Sequence, residues 1–426
     1  MRTYLYPTSA ELLEILKRPE KDSDNLENLV KEIFDDVKLN GDEALRAYSL
    51  KFDGVDLPIL KVTEEEFNDA KSMVSADLKE AIQIAKNNII KFHEAQMEEV
   101  LEIETMPGVT CWRKSAGIEK VGLYIPGGTA PLFSTVLMLG IPAVLAGCKR
   151  IVLCTPADKN GNINPAILYT AQLIGITDIY KVGGIQAIAA MTYGTESILK
   201  VYKIFGPGNQ YVTAAKQFAQ QLGIAIDMPA GPSELMVVSD EYSNAAFVAS
   251  DLLSQAEHGE DSQVILISTS KVFVEEVEKE LVKQLDFLPR KEIALKALVN
   301  SAAIVVQQVE IISIINEYGP EHLILATEFN EELIEGVINA GSVFIGKYTP
   351  ESAGDYASGT NHTLPTNGYS KQYSGVSFDS FVKKITYQKI TKEGIKNIGK
   401  TIETMAEAEG LQAHKNAVTL RLNSLS

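Results

Sequence analysis

Strand-length apolar runs alternate with helix-length ones from residue 121 onward, and a glycine cluster follows nearly every early strand. Strands are expected at 121–125, 150–154, 178–182, 201–205 and 235–238, with helices at 131–147, 165–175, 187–194 and 209–222 between them. Such alternation points to a parallel, doubly wound α/β sheet. A helix over 244–258 leads into a second alternation. Its strands are expected at 263–268, 303–307, 322–326 and 342–345, with helices at 271–285, 310–318 and 330–340.

Before residue 121 the spacing predicts helices at 25–38 and 76–98, and Thr63-Glu-Glu-Glu66 is a capping box opening another. Residues 100–125 turn strand-like. The tail from Ser380 reads helical and polar. At 426 residues the chain has room for about two to three domains. It carries 39 basic and 56 acidic residues, a net charge of −17. Nucleic acid is therefore not an expected partner, since phosphate binding needs a basic footprint. No apolar run reaches the ~20 residues of a membrane span, and the first residues lack a secretory core. Cys111, Cys148 and Cys154 are too few for a disulfide framework, so a cytoplasmic location is expected.

The glycine clusters are Pro126-Gly-Gly128, Gly183-Gly184, Gly206-Pro-Gly208 and Ala230-Gly-Pro232. Glycine lets backbone approach a ligand, helix N-termini favour phosphate, and ligands of open α/β sheets sit at the carboxyl ends of strands. A nucleotide cofactor fits this pattern, although tight turns alone also need glycine. The Gly-x-Gly-x-x-Gly fingerprint is absent, which leaves the cofactor's identity open.

Four of the five histidines lie in polar, glycine-punctuated segments: Ser254-Gln-Ala-Glu-His-Gly259, Gly319-Pro-Glu-His322, Gly354 to His362, and Glu409-Gly-Leu-Gln-Ala-His414. Gln255 and His258 are spaced to share one helical face. With Asp355 and His414 they supply two nitrogens and two oxygens, a donor set suited to zinc or a similar divalent ion. Glu321 and His322 remain as a proton-transfer pair at a strand end. Each segment alone reads equally well as a cap or a solvated turn. His93 lies in a predicted helix and reads as a packed or surface histidine.

These residues and motifs resemble the histidinol dehydrogenase family along nearly the whole chain. The resemblance is carried by Val121-Gly-Leu-Tyr-Ile-Pro-Gly-Gly128, Val182-Gly-Gly-Ile-Gln-Ala-Ile-Ala189, Ile204-Phe-Gly-Pro-Gly-Asn209 and Ile226-Asp-Met-Pro-Ala-Gly-Pro-Ser-Glu234. Ser254 to His258, Tyr318 to His322, Ser352 to His362 and Ala413 to Ala417 continue it. It implies a cytoplasmic homodimer that oxidises L-histidinol to L-histidine through the aldehyde, with two NAD, one water and one zinc ion per subunit. Gln255, His258, Asp355 and His414 would hold zinc, and Glu321 and His322 would carry the chemistry. Ser233, His362 and Glu409 would help these groups hold the substrate, and Tyr124, Gln186 and Asn209 would contact NAD. Glu409 and His414 would come from the partner chain.

The implied fold is α/β, with two doubly wound Rossmann-like units in an aldehyde-dehydrogenase-like arrangement and small N- and C-terminal helical extensions. The expected division is an arm over 1–22, a metal and catalytic domain of 23–120 plus 239–378, an NAD domain over 121–238 and a helical arm over 379–426. Two other chemistries compete: aldehyde oxidation through a thiolate of Cys111, Cys148 or Cys154, and hydrolysis by metal-bound water with Glu321 as base.

Overall fold

The computed structural model describes residues 1–19, 26–127 and 131–425. Gly128 of the first glycine cluster and the expected helix start at Asn25 lie outside them. Chain order begins with β1 (Arg2–Leu5), then the hairpin strands β2 (Glu102–Met106) and β3 (Val109–Gly117). Next come β4 (Lys120–Tyr124), β5 (Arg150–Cys154), β6 (Asp178–Tyr180), β7 (Lys203–Phe205) and β8 (Ala225–Ile226). Then follow β9 (Glu234–Ser239), β10 (Gln263–Ser268), β11 (Ala302–Val305), β12 (His322–Ala326), β13 (Ser342–Ile345) and finally β14 (Val382–Ile390).

Two parallel sheets result. The first has the order β6-β5-β4-β7-β8, and the second β1-β11-β10-β9-β12-β13. Apart from β1 the two orders are the same: each unit starts in the middle, winds outward on one side, then crosses to the other. Every residue of β9 and β10 is buried. Continuous apolar strands of this kind belong in the middle of a sheet covered on both faces.

The topology corrects the expected division in four places. Strand β9, assigned with the first unit, pairs with β10 and β12 and so starts the second. The crossing between units therefore falls in the Pro229–Pro232 stretch. Strand β1, expected within an arm, pairs along β11 as an edge strand. The helices of 23–120, expected with the metal unit, pack on the first sheet: Val30, Phe34 and Leu45 share a core with Ile188 and Val212, and Phe67 and Ile89 share one with Leu137 and Ile167. The tail is not wholly helical, because β14 pairs antiparallel with β3 over nine residues each. Its lysines obscure a two-residue alternation, and Tyr387 stacks on Trp112 at 5.4 Å.

Elsewhere local chemistry acts as expected. Thr63 and Glu66 form a reciprocal capping box. The Leu26–Tyr48 helix kinks at Gly41, whose φ is 52°. Beyond β14, two helices, Lys392–Ala408 and Gln412–Asn423, pack on each other as an arm. Among the described residues no helix is long and apolar enough to cross a membrane.

Candidate active site

The carboxyl ends of β4, β5, β6 and β7 surround a cavity of about 1200 Å³. Tyr124, Gln186 and Asn209 all line it. It lies where the strand order reverses between β4 and β7, the usual ligand position of such sheets. Tyr124 Oη accepts the Gly184 N–H at 3.0 Å, and burial pushes its phenol up to about 12. Asn209 caps the Gln210–Gln221 helix, its side chain accepting the N–H groups of Tyr211 and Val212. Gln186 is buried, and its Nε2 has no hydrogen-bond partner. A buried donor left this way costs about 1–3 kcal/mol, which a ligand acceptor in the cavity would recover.

The glycines serve packing as well as ligand approach. Gly206 has φ 137°, and a Cβ there would lie 2.1 Å from the Tyr124 carbonyl oxygen. Its loop is pinned on both sides. Asp227 accepts its N–H at 2.8 Å, while Lys216, ion-paired with Asp227, donates to its carbonyl at 2.9 Å. The 157–165 loop, which lay outside the motifs, also lines the cavity. Asp158 shapes it by accepting the N–H groups of Asn160 and Asn162.

A second constellation sits at the amino ends of β9 and β12. Ser233 precedes β9, and Glu321 precedes β12, which His322 opens. His322 Nδ1 lies 3.2 Å from the Glu234 carbonyl oxygen and 3.6 Å from Glu321 Oε2, and its Nε2 is 3.7 Å from Asp355 Oδ1. That Nε2 is buried without a hydrogen-bond partner. The Ala245–Ala256 helix runs back against β9, so Gln255 and His258 arrive at the same edge. Asp355 comes from the short Glu351–Tyr356 helix.

His258, Glu351 and Asp355 each offer a ligand atom within 4.8 Å of the others, a grouping able to hold a metal ion. Gln255 is buried beside them. With its amide oriented to satisfy both ends, its nitrogen donates to Glu351 and its oxygen accepts the Glu234 N–H at 3.1 Å. His362 lies alongside, Nδ1 2.9 Å from the Asp355 carbonyl oxygen and Nε2 3.0 Å from Thr135 Oγ1. Thr135 belongs to the Phe133–Leu145 helix, which follows the Tyr124 loop. Pro131, just before that helix, lines the cavity, while Thr135 within it meets His362 of the acid–histidine cluster.

Burial pushes Glu321 up to about 7 and Glu351 up to about 8. Burial alone would lower His322, but the negative charges of Glu351, Glu321 and Asp355 outweigh it and raise the imidazole to about 10. Burial would raise Asp355, yet His322 beside it holds its carboxyl below the ordinary value. So many carboxylates around one imidazole suit a cation. A divalent ion on His258, Glu351 and Asp355 would neutralise the charge that otherwise keeps His322 protonated.

Residues 16–422 match the family model described as Histidinol dehydrogenase. The chain belongs to the histidinol dehydrogenase family. It is 60% identical to the histidinol dehydrogenase of Bacteroides thetaiotaomicron over 426 residues, all of both chains. It is 52% identical to that of Campylobacter jejuni, over 97% of this chain and 96% of the relative. The crystal structure of histidinol dehydrogenase from Elizabethkingia anophelis superposes with a TM-score of 0.98 at 59% identity, covering 100% of this chain and 98% of that one. Membership makes the chain an oxidoreductase of histidine biosynthesis.

Within one chain, the structure brings together Ser233, Gln255, His258, Glu321, His322, Asp355 and His362 around the amino edge of the second sheet. It does not bring Glu409 or His414 there. Both are exposed on the C-terminal arm. Although the tail reads helical, they do not share one helix, because Gly410, at φ 73°, turns the chain between them. Glu351 was missed among the donors. Its sequence signal is weak: one carboxylate at the start of a segment rich in other polar residues. The thiol alternative finds no support at Cys148 or Cys154. Burial raises the Cys154 thiol and pushes Cys148 up to about 11, against the thiolate that route requires.

Proposed function

We propose that this chain is an NAD-dependent, zinc-containing homodimer that oxidises L-histidinol to L-histidine through L-histidinaldehyde, using two NAD and one water. One observation carries the reading: Glu321 and His322 stand side by side next to the His258–Glu351–Asp355 grouping, and His362 beside that grouping meets Thr135, which closely follows Pro131 of the cavity lined by Tyr124, Gln186 and Asn209.

The two oxidations ask different things of the site. An alcohol carbon gives up hydride readily only as its hydroxyl proton leaves. His322 takes that proton, held in place by the Glu234 carbonyl at Nδ1 with Nε2 free. The aldehyde must then add water to become a second hydride donor. Glu321, pushed up to about 7 by burial, is poised to remove a proton from that water near neutral pH. Both cofactor molecules would use the one cavity in turn, with the Gln186 amide and the Gly184 turn fixing their orientation.

His258 and Asp355, with Gln255 and Glu351 beside them, would hold zinc together with His414 from a partner chain. Zinc would supply orientation of the substrate amine and imidazole and some polarisation of its oxygen. Ser233 and His362, with Glu409 of the second copy, would complete substrate binding. The exposed placement of Glu409 and His414, away from this chain's cluster, supports service to the neighbour's site.

The decisive measurement is NADH formed per L-histidinol consumed. Two per substrate, abolished by a chelator and restored by zinc, is expected. Metal-loaded protein that forms no NADH would sink the reading. Mixing a His414→Ala variant with a His322→Asn variant should regain part of the activity, since one hybrid site is intact. Verified mixed dimers with no recovery would end the shared-site assignment.

A further inference from the structure

Arg18 lies outside every motif, more than two hundred residues from β9 and about three hundred from β12, yet it makes one of the best-formed ion pairs in the protein. Its Nε and a terminal nitrogen reach the two carboxylate oxygens of Glu234 at 2.5 and 2.9 Å. The Glu234 side chain is 2% exposed. The same guanidinium donates to the Tyr318 carbonyl at 2.8 Å and lies 4.0 Å over the Tyr318 ring. Such a pair costs desolvation and is weak evidence of stability by itself, so its geometry calls for another explanation.

That explanation lies in the backbone of Glu234. Its N–H donates to Glu321 Oε2 at 2.8 Å, and its carbonyl oxygen is 3.2 Å from His322 Nδ1. One peptide segment therefore touches both reacting side chains, and its own side chain is locked by Arg18. The Asn367 N–H adds a third bond to the same carboxylate at 2.8 Å. Through Tyr318 the guanidinium also holds the turn that leads into Glu321. The clamp is itself anchored: Tyr318 Oη donates to Gln263 Oε1 at 2.8 Å, and Gln263 Nε2 donates to the Lys17 carbonyl at 3.0 Å. Arg18 thus ties together the starts of β9 and β12, the two strands that flank the switch point.

We propose that Arg18 is a positioning residue that, through the Glu234 backbone, sets Glu321 and His322 for both oxidations. This rests on the roles given to those two residues above. A misplacement of about 1 Å at reacting groups can cost on the order of a hundredfold in rate. Arg18→Met should therefore lower kcat for L-histidinol oxidation by about 10- to 100-fold. KM for L-histidinol and bound zinc should stay within about twofold, because Arg18 itself touches none of the proposed substrate or zinc-binding side chains. Arg18→Lys should recover part of the loss, since it keeps the charge and loses the fork.

The decisive arm is a double-mutant cycle. In a His322→Asn background Arg18→Met should cost less than about threefold, because a residue acting through His322 has little left to position. A full, additive loss there overturns the inference, as does wild-type kcat in folded Arg18→Met or a fall in zinc content matching the fall in rate. If Arg18→Met does not fold, Arg18→Lys and Glu234→Gln carry the test. A severalfold drop in kcat at constant KM supports positioning, and unchanged kcat in both overturns it. Wild-type turnover in His322→Asn alone would instead remove the proposed function, and the inference with it. An inactive His322→Asn beside a normal Arg18→Met removes only the inference.

Discussion

The two parallel sheets wind in the same order, yet their candidate ligand groups gather at opposite edges. The first sheet uses its carboxyl edge, where strands end in glycine turns and helices begin. The second uses its amino edge, where the Ala245–Ala256 helix ends and delivers Gln255 and His258. The difference is electrostatic. Helix N-termini expose N–H groups and partial positive charge, which suits a phosphate-bearing cofactor; helix C-termini expose carbonyls, which suits a cation. One topology used twice can thus offer an anion cradle and a cation nest by turning over the edge it employs.

The sharpest way to break this comparison is to disable one edge and ask whether the other still works. His322→Asn should reduce oxidation of L-histidinol by about a thousandfold, the middle of the range for loss of a general base, while zinc content and NAD binding are retained. Loss of zinc in that variant would make His322 a ligand and merge the two roles assigned to the amino edge. At the carboxyl edge, Gly206→Ala forces a Cβ against the Tyr124 carbonyl. It should destabilise the protein by about 3 kcal/mol even with no cofactor added. Unfolding curves that match wild type without NAD would show that this glycine serves ligand approach alone. Gln186→Ala should then weaken NAD by about tenfold, the worth of one buried hydrogen bond, and leave zinc untouched. Unchanged NAD affinity would mean that Gln186 Nε2 faces something other than cofactor.

Much of this was legible in the sequence, and what was not has physical causes. The expected strands at β5, β10, β12 and β13 coincide with the observed ones, because parallel strands read as short apolar runs with glycine or polar residues at their ends, although only β10 and β12 are buried throughout. Short β8 and lysine-rich β14 carry no such run; pairing partners define them, and partners are a tertiary fact. The same holds for β9. Its composition announces a strand, but only the crossing at Pro229–Pro232 decides which sheet receives it. In the site, scarce histidines and their glycine-flanked neighbours pointed to the cluster. Glu351 was passed over because a carboxylate in a chain with 56 acidic residues is no signal until its burial is known. Arg18 is the extreme case. Nothing near it in sequence hints at Glu234, and the pair exists only because β1 and the segment after it fold back over the second sheet.

The smallest expected effect concerns the one histidine outside the polar segments. His93 is fully buried. Its Nδ1 donates to the Ile89 carbonyl at 2.8 Å, and its Nε2 lies 3.4 Å from Asn361 Nδ2, which also donates to the Met138 carbonyl. Both contacts fit a neutral ring; a proton on Nε2 would face the Asn361 amide hydrogens. Burial accordingly lowers its pKa, with the Ile89 carbonyl opposing. Between that lowered value and the ordinary 6.5, the unfolded chain binds more protons than the folded one, so stability falls as the pH falls. The contribution is complete above pH 6.5 and is lost on acidification through the folded pKa. His93→Gln should therefore flatten the decline of Tm between about pH 7 and 5, by roughly one or two degrees. Parallel wild-type and variant profiles would show that His93 charges without cost. Because Asn361 adjoins His362, a change in substrate KM that follows the same pH window would further tie this core histidine to the edge where the cluster sits.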